Sequence, residues 1–201
     1  MENLDLNPLI TALGGALVGA TGIWVAIQRQ KLKERQKNIQ TADALLRMSE
    51  IYDCLNELTS ETNADRALIL FTSNGGGIPR ASGIVNATIL YELVTKHGLS
   101  PIRADFQHIP LDESYTKMLK TVILEGSLFG TPEDLLSGFL KTQYNDEGVK
   151  YFYLWELLRT PEKYFYGALR WNGETAPPKD QLKSYTSIQG SKIANLLIKD
   201  F

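Results

Sequence analysis

Residues 9–27 carry no charged side chain, and five Lys or Arg residues follow within the next ten positions. A helix needs about 20 mostly apolar residues to cross the hydrocarbon core of a bilayer, and Lys and Arg concentrate on its cytoplasmic side. The sequence therefore predicts a short non-cytoplasmic leader at residues 1–7 and one transmembrane helix at residues 8–27. The rest of the chain is expected in the cytoplasm, anchored to the cell (inner) membrane, with the lipid bilayer as its first partner.

Two alternatives to a membrane span are a cleavable signal peptide and a buried helix of a soluble protein. A signal peptide places positive charge before its apolar core, but the leader contains only Glu2 and Asp5. A buried helix is usually shorter or has a polar face, whereas Thr11 and Thr21 carry the only hydroxyls between residues 9 and 25. The single-pass anchor is the preferred interpretation.

Small residues recur along the predicted span. Gly15 and Gly19 form a GxxxG motif, which lets two membrane helices approach closely and gain dispersion contacts. The motif predicts self-association of two copies through Gly15 and Gly19. The alternative is a helix that simply tolerates Gly, since Gly is common in membrane spans.

Residues 28–62 predict one long helix, because they contain neither Gly nor Pro. Apolar residues in its first part follow the spacing of a coiled-coil seam: Leu32, Ile39, Ala42 and Leu46. A second stripe suits packing against a sheet: Ile51, Leu55 and Leu58. The charged first part needs a partner helix, the lipid surface or continuation from the membrane span to be stable. We expect a stalk that merges into the first domain helix, with a possible homodimer through the stalk and the transmembrane helix.

Composition excludes several classes of function. A formal net charge of −2 argues against a nucleic-acid binder, whose footprint is a strong basic excess. Cys54 is the only cysteine, which excludes disulfide frameworks, CxxC redox motifs and cysteine-based zinc sites within one chain. Its place on a helical apolar stripe predicts a buried, inert thiol.

Residues 63–201 alternate between strand and helix patterns. The predicted order is a strand at 66–72, a glycine-rich loop, a strand at 86–96, helices from 114 and from Thr131, an aromatic hairpin at 151–158 and 164–171, and a closing helix at 179–198. The inner face of the closing helix is expected to hold Leu182, Tyr185, Ile188, Ile193, Leu196 and Leu197. Strands flanked by terminal helices predict an α+β fold.

This order resembles the GAF-like fold of small sensory domains. The resemblance covers residues 41–201 and rests on the strand running into Asn74-Gly75-Gly76, the hairpin before Trp171 and the final helix. It implies an antiparallel sheet flanked by helices that binds a small molecule or dimerises. The Asn-Lys-x-n-Phe-x-x-x-Asp-Glu motif of cyclic-nucleotide members is missing, as are the cysteines of the methionine sulfoxide reductases and a bilin-attachment cysteine.

Two segments are candidates for ligand binding. Asn74, Gly75 and Gly76 could present backbone N–H groups to an anion, with Arg80 as its charged partner; a flexible turn is the alternative. The second candidate is the aromatic set of the hairpin, from which we select Tyr153, Trp155, Tyr166 and Trp171. Alternate strand residues face opposite sides of a sheet, so one subset points toward a second helical layer, a pocket or a partner.

The sequence contains no catalytic or metal-binding motif. Gly-x-Ser-x-Gly and Walker spacings are missing, and Glu156 and Arg170, if adjacent across the hairpin, would form a structural ion pair. We expect a membrane-anchored, non-enzymatic module that binds a small ligand or a protein partner, without a cofactor. The alternative is a structural or partner-docking component of a membrane complex, or a phage-encoded membrane protein, with no small-molecule ligand.

Overall fold

The computed structural model describes residues 7–73, 85–160, 163–173 and 175–199, with side chains from Gln28 onward. Helix α1 (Asn7–Thr62) is continuous over 56 residues. No helix is long and apolar enough to cross a membrane within the part of the chain that is described. The predicted span at 8–27, with Gly15 and Gly19, lies outside the described side chains, so the fold gives membrane insertion no support and it stays a prediction.

The chain divides into two compact units, residues 1–48 and residues 49–201. In the first unit, the predicted coiled-coil seam is open to solvent: Leu32, Ile39 and Leu46 are 58%, 69% and 64% exposed. A seam of this kind is buried only when a second helix packs on it. The homodimer therefore stays a prediction for this unit.

The second unit is built on a six-stranded antiparallel sheet in the order β3-β2-β1-β6-β5-β4. Its strands are β1 (Arg66–Ser73), β2 (Asn86–Val94), β3 (Ile109–Pro110), β4 (Ser127–Gly130), β5 (Tyr151–Arg159) and β6 (Lys163–Trp171). Its helices after α1 are α2 (Glu113–Glu125), a 3₁₀ turn (Pro132–Asp134), α3 (Phe139–Asp146) and α4 (Lys179–Ile198). This arrangement confirms the predicted α+β class.

Helices cover both faces of the sheet, which explains the continuous apolar run in β1. Ala67, Leu68, Ile69 and Leu70 are all at most 1% exposed, as expected for a strand buried on both sides. Leu68 and Leu70 belong to a core beneath α2, while Ala67 and Ile69 belong to a core beneath α1 and α4. We call these the α2 face and the α4 face of the sheet.

The α4 face confirms most of the predicted helix stripes. Ile51, Leu55 and Leu58 are at most 1% exposed, and Cys54 is buried beside them. Burial raises the pKa of the Cys54 thiol, which makes the thiolate scarce at neutral pH and agrees with an inert side chain.

One residue of the closing helix was predicted wrongly. Leu182, Ile193, Leu196 and Leu197 are buried as expected, but Ile188 is 56% exposed. Thr186 and Gly190 occupy the sheet-facing positions instead, because the helix lies close to Trp155 at this point. Close approach of a helix to a large ring favours small residues over Ile.

Candidate functional site

An open groove of about 610 Å³ lies between α4, the edge strand β4 and its neighbour β5. Its lining includes three sheet residues and three helix residues that matter for binding: Ser127, Tyr153, Trp155, Lys183, Gly190 and Asn195. We call it the α4 groove. Its volume falls within the range of about 300–1,000 Å³ that is typical of small-molecule sites.

Local sequence explains how Ser127 reaches the groove. Helix α2 ends at Gly126, whose φ of 77° is left-handed and suits a residue without a Cβ. The chain therefore turns directly into β4, and the Gly126 carbonyl accepts a hydrogen bond from the Glu156 N–H at 3.0 Å. This register places Ser127 opposite Trp155. Paired residues of antiparallel strands project to the same face, so both side chains point toward α4.

Two glycines fix the indole of Trp155. Gly167 is its register partner in β6, and a Cβ at that position would overlap the indole ring. A Cβ on Gly190 would lie 3.1 Å from Trp155 Nε1. The ring of Tyr153 stacks beside the indole, with centroids 6.1 Å apart. Glycines on two sides thus hold the indole between β6 and α4, with its N–H buried at the wall of the groove.

Two polar atoms in the groove lack partners. Trp155 and Ser127 are each 4% exposed, and neither Trp155 Nε1 nor Ser127 Oγ has a hydrogen-bond partner among the described residues. We call them the open polar groups. More than about 90% of buried polar groups in proteins are hydrogen-bonded, so two such atoms on register-paired residues are unusual. An indole N–H can only donate, whereas a serine hydroxyl can donate and accept.

Charged side chains stand at the rim of the groove. Lys183 on α4 and Glu125 at the end of α2 are exposed. Glu156 is engaged by Arg159, whose Nε and Nη2 donate to its two carboxylate oxygens at 2.9 and 2.6 Å. This arrangement leaves Lys183 as the cation and Glu125 as the uncompensated anion of the lining.

The α2 face holds a buried cluster of two arginines and two glutamates, which we call the Arg–Glu cluster. Arg66 and Arg170 are register partners on β1 and β6. Glu147 lies between them, with Oε2 3.4 Å from Arg66 Nη1 and 2.9 Å from Arg170 Nη1. Glu92 Oε1 lies 3.0 Å from Arg66 Nη1. Two positive and two negative charges therefore balance, which is the condition under which ions are tolerated in a core.

Further contacts close the Arg–Glu cluster. Glu92 also accepts hydrogen bonds from the Ile102 and Arg103 N–H groups. Burial opposes the charge of Arg170, but Tyr144 and Glu147 raise its pKa above the usual range, and its guanidinium lies 4.4 Å from the Tyr144 ring centroid. Burial lowers the pKa of Arg66 despite its two carboxylate neighbours. The carboxylates are engaged by the protein itself, which indicates a structural role.

The similarity of this chain to known proteins lies in its fold. No family model matches the chain, and no curated protein does. Solved structures do: a far-red cyanobacteriochrome photoreceptor superposes with a TM-score of 0.57 at 10% identity, covering 86% of this chain and 97% of that one. The chain has a GAF-like fold. Two further structures agree: a photoproduct-state GAF domain of Synechocystis sp. PCC6803 (TM-score 0.54, 13% identity, 77% and 94% covered) and a GAF/HD domain protein of Geobacter sulfurreducens (0.52, 12%, 73% and 89%).

The GAF-like domain separates the aromatic residues that the sequence singled out. Tyr153 and Trp155 lie together in the α4 groove. Tyr166 lies on the α2 face, where its hydroxyl is 2.5 Å from that of Tyr115. Trp171 is 1% exposed and donates its indole N–H to the Thr62 carbonyl at 3.0 Å. Asn74, Gly75, Gly76 and Arg80 lie outside the described residues, so their proposed role stays a prediction.

Other parts of the groove were not found from the sequence. Ser127, Lys183 and Asn195 carry no motif, because β4 is only four residues long and its pairing with β5 is not local. A usable signal was Gly190, which interrupts the apolar stripe of α4. Glu156 and Arg170 are not adjacent across the hairpin, since their register partners are Tyr166 and Phe152; Arg170 pairs with Glu147 and Glu156 with Arg159.

The described residues contain no group of three or more His, Cys, Asp or Glu side chains that could hold a metal ion.

Proposed function

We propose that this chain is a membrane-tethered sensory module that is not an enzyme, and that its GAF-like domain binds a small ligand in the α4 groove on the cytoplasmic side. The observation that carries this proposal is the pair of open polar groups. A buried donor without a partner costs about 1–3 kcal/mol, and a ligand that satisfies it recovers that free energy. This gain in free energy favours ligand binding in the groove.

Native mass spectrometry of the detergent-solubilised full chain tests ligand binding. We expect a small-molecule adduct on the wild-type protein and its loss in Gly190→Leu, whose side chain would fill the space beside Trp155 Nε1. Ser184→Leu, on an exposed position of the same helix, is the matched control and should keep the adduct. Repeated recovery of the bare wild-type chain would overturn the proposal, and so would an adduct that survives Gly190→Leu.

The membrane tether and its orientation rest on the uncharged residues 9–27 and the basic residues behind them. A cysteine introduced by Asn3→Cys should react with an impermeant maleimide added to intact cells, since the leader is proposed to face outward. Cys54 is buried and should stay unlabelled, which makes the unmodified protein the control. Protection of position 3 in intact cells, with labelling after lysis, would contradict this orientation.

Self-association is proposed through the transmembrane helix and the stalk, whose seam residues Leu32, Ile39 and Leu46 are exposed in one copy. Gly15→Ile with Gly19→Ile should weaken the dimer, because bulky side chains prevent close helix approach. Leu32→Asn with Ile39→Asn should weaken it through the stalk. Oligomeric state in detergent, measured by light scattering, reports both. A monomeric wild-type chain would remove the dimer from the proposal.

A second candidate function is protein docking without a small ligand. It is favoured by apolar side chains at the end of α2, where Leu124 is 72% and Ile123 is 39% exposed beside an apolar hollow of about 370 Å³. Such a surface fits a component of a membrane complex or a phage-encoded membrane protein. Recovery of a stoichiometric protein partner, lost in Leu124→Ser and kept in Gly190→Leu, would favour this candidate over the ligand sensor.

A further inference from the structure

The chemistry of the α4 groove narrows the class of ligand, provided that the proposed ligand-binding function holds. Trp155 Nε1 carries a hydrogen and no lone pair, so its partner must present an acceptor. The hydroxyl of Ser127 projects from the paired position of β4, on the same face of the sheet. Each of these two donors needs an acceptor, and a group with two acceptor oxygens supplies both.

The charge at the groove indicates an anionic acceptor. Lys183 extends from α4 into the lining, and hydrogen bonds to a charged partner are roughly twice as strong as neutral ones. Two carboxylates also line the groove and would repel an anion. Glu156 is neutralised by its bidentate contact with Arg159, and Glu125 is exposed, where water and salt screen its field. Because the open polar groups are buried, water screens them less than it screens Glu125, and their preference for an anionic acceptor outweighs the repulsion from that carboxylate.

The shape of the groove agrees with a small molecule. Gly190 brings the α4 backbone close to Trp155, and a Cβ there would stand 3.1 Å from the nitrogen Nε1. The groove is open on one side, so a ligand larger than a single anion can extend toward Ser191 and Asn195. These side chains can bond polar substituents of such a ligand.

We propose that the α4 groove binds a small organic carboxylate, with its oxygens accepting from Trp155 Nε1–H and Ser127 Oγ–H and its charge balanced by Lys183. This site lies on the face of the sheet that α1 and α4 cover. It uses none of the residues of the Arg–Glu cluster.

The indole N–H resonances of the full chain test this proposal directly. The chain has three tryptophans, of which Trp171 is already bonded to Thr62 and serves as an internal reference. In ¹⁵N-tryptophan-labelled protein in detergent, assigned through Trp→Phe variants, sodium acetate is the probe. We expect the Trp155 Nε1–H resonance to move saturably as acetate is added, while the Trp171 resonance stays in place. Sodium chloride and methylammonium chloride at matched ionic strength should move neither.

Variants locate the binding groups. Lys183→Gln should weaken acetate binding about tenfold, as expected when one charge-assisted contact is removed. Lys192→Gln is the matched control, because Lys192 lies on the same helix outside the groove, 3.5 Å from Glu57. Ser127→Ala should weaken acetate binding by a smaller factor, about three- to tenfold. Circular dichroism of each variant verifies that it is folded.

Three outcomes would overturn the carboxylate assignment: no movement of the Trp155 resonance with acetate, an equal movement with chloride, or a response to methylammonium instead. If the native adduct is present and lost in Gly190→Leu while acetate has no effect, the groove is a ligand site and only the carboxylate class is wrong. If acetate binds with the expected variant pattern but no native adduct is recovered, the carboxylate class stands and the sensory function loses its support.

Discussion

The two faces of the sheet differ in how their buried polar groups are arranged. On the α2 face, four charged side chains pair among themselves, and the hydroxyls of Tyr115 and Tyr166 lie 2.5 Å apart. On the α4 face, the open polar groups have no partner in the described part of the chain. The α2 face also leaves Tyr164 Oη and Arg170 Nε without a hydrogen-bond partner among the described residues, but its charges are paired, whereas the open polar groups belong to residues that line a groove. The proposed function therefore places ligand recognition on the α4 face and a structural ion-pair cluster on the α2 face.

The largest expected effect comes from the Arg–Glu cluster. Glu147→Gln removes the carboxylate that Arg66 and Arg170 share, so that Arg66 keeps Glu92 and the buried Arg170 loses its salt-bridge partner. Removing one partner of a buried ion pair costs about 3–5 kcal/mol, so the free energy of unfolding in urea should fall by that amount. Glu156→Gln is the control, because Arg159 and Glu156 are 51% and 30% exposed, and an exposed pair contributes about 0–1 kcal/mol. Equal losses in the two variants would contradict a structural role that is confined to the cluster.

The next effect tests how tightly the indole of Trp155 is held. Gly167→Ala places a Cβ within the indole ring, so either the ring or β6 must shift. Overpacking of this kind costs about 1–3 kcal/mol, measured by urea unfolding. Gly173→Ala is the matched control, since a Cβ there meets no atom within 4 Å among the described residues. A neutral Gly167→Ala would mean that the indole is mobile and that the groove lacks a fixed donor.

A third experiment compares the two buried tryptophans. Trp155→Phe and Trp171→Phe remove the same ring atoms, but only Trp171 donates to a protein acceptor, the Thr62 carbonyl at 3.0 Å. Loss of that bond leaves a buried carbonyl unsatisfied, which costs about 1–3 kcal/mol more than the change in ring size. Trp171→Phe should therefore lower the midpoint of thermal unfolding further than Trp155→Phe. The reverse order would indicate that Trp155 Nε1 has a partner after all.

The sequence predicts the long strands of the sheet but not the contacts between distant segments on either face, for a physical reason. The strands at 66–72, 86–96 and the aromatic hairpin were predicted because each is a long, locally patterned segment. The pairing of Ser127 with Trp155 was not, because it depends on a four-residue strand and on the register between distant segments. The partnership of Glu147 with Arg170 is missed for the same reason, since 23 residues separate them. Periodicity reports burial, but it does not report which buried polar group meets which partner.

The smallest expected effect comes from the same substitution, Ser→Ala, at one buried serine that has a hydrogen-bond partner and at one that has none. Ser114 and Ser127 are each 4% exposed. The Ser114 hydroxyl donates to the Leu136 carbonyl at 2.9 Å, whereas Ser127 Oγ is one of the open polar groups. Ser114→Ala should cost about 1 kcal/mol in urea unfolding, and Ser127→Ala should cost about zero or stabilise, because an unsatisfied buried hydroxyl is removed.

The variants Ser114→Ala and Ser127→Ala also test whether Ser127 contacts a ligand in the groove. Saturating acetate should raise the unfolding free energy of the wild type and of Ser114→Ala by the same amount, since the added term depends only on ligand concentration and affinity. Ser127→Ala should gain less, because it lacks one of the two donors. If acetate raises the unfolding free energy of all three proteins equally, Ser127 does not contact the ligand. Its hydroxyl is then an unsatisfied polar group that destabilises the fold and has no role in binding.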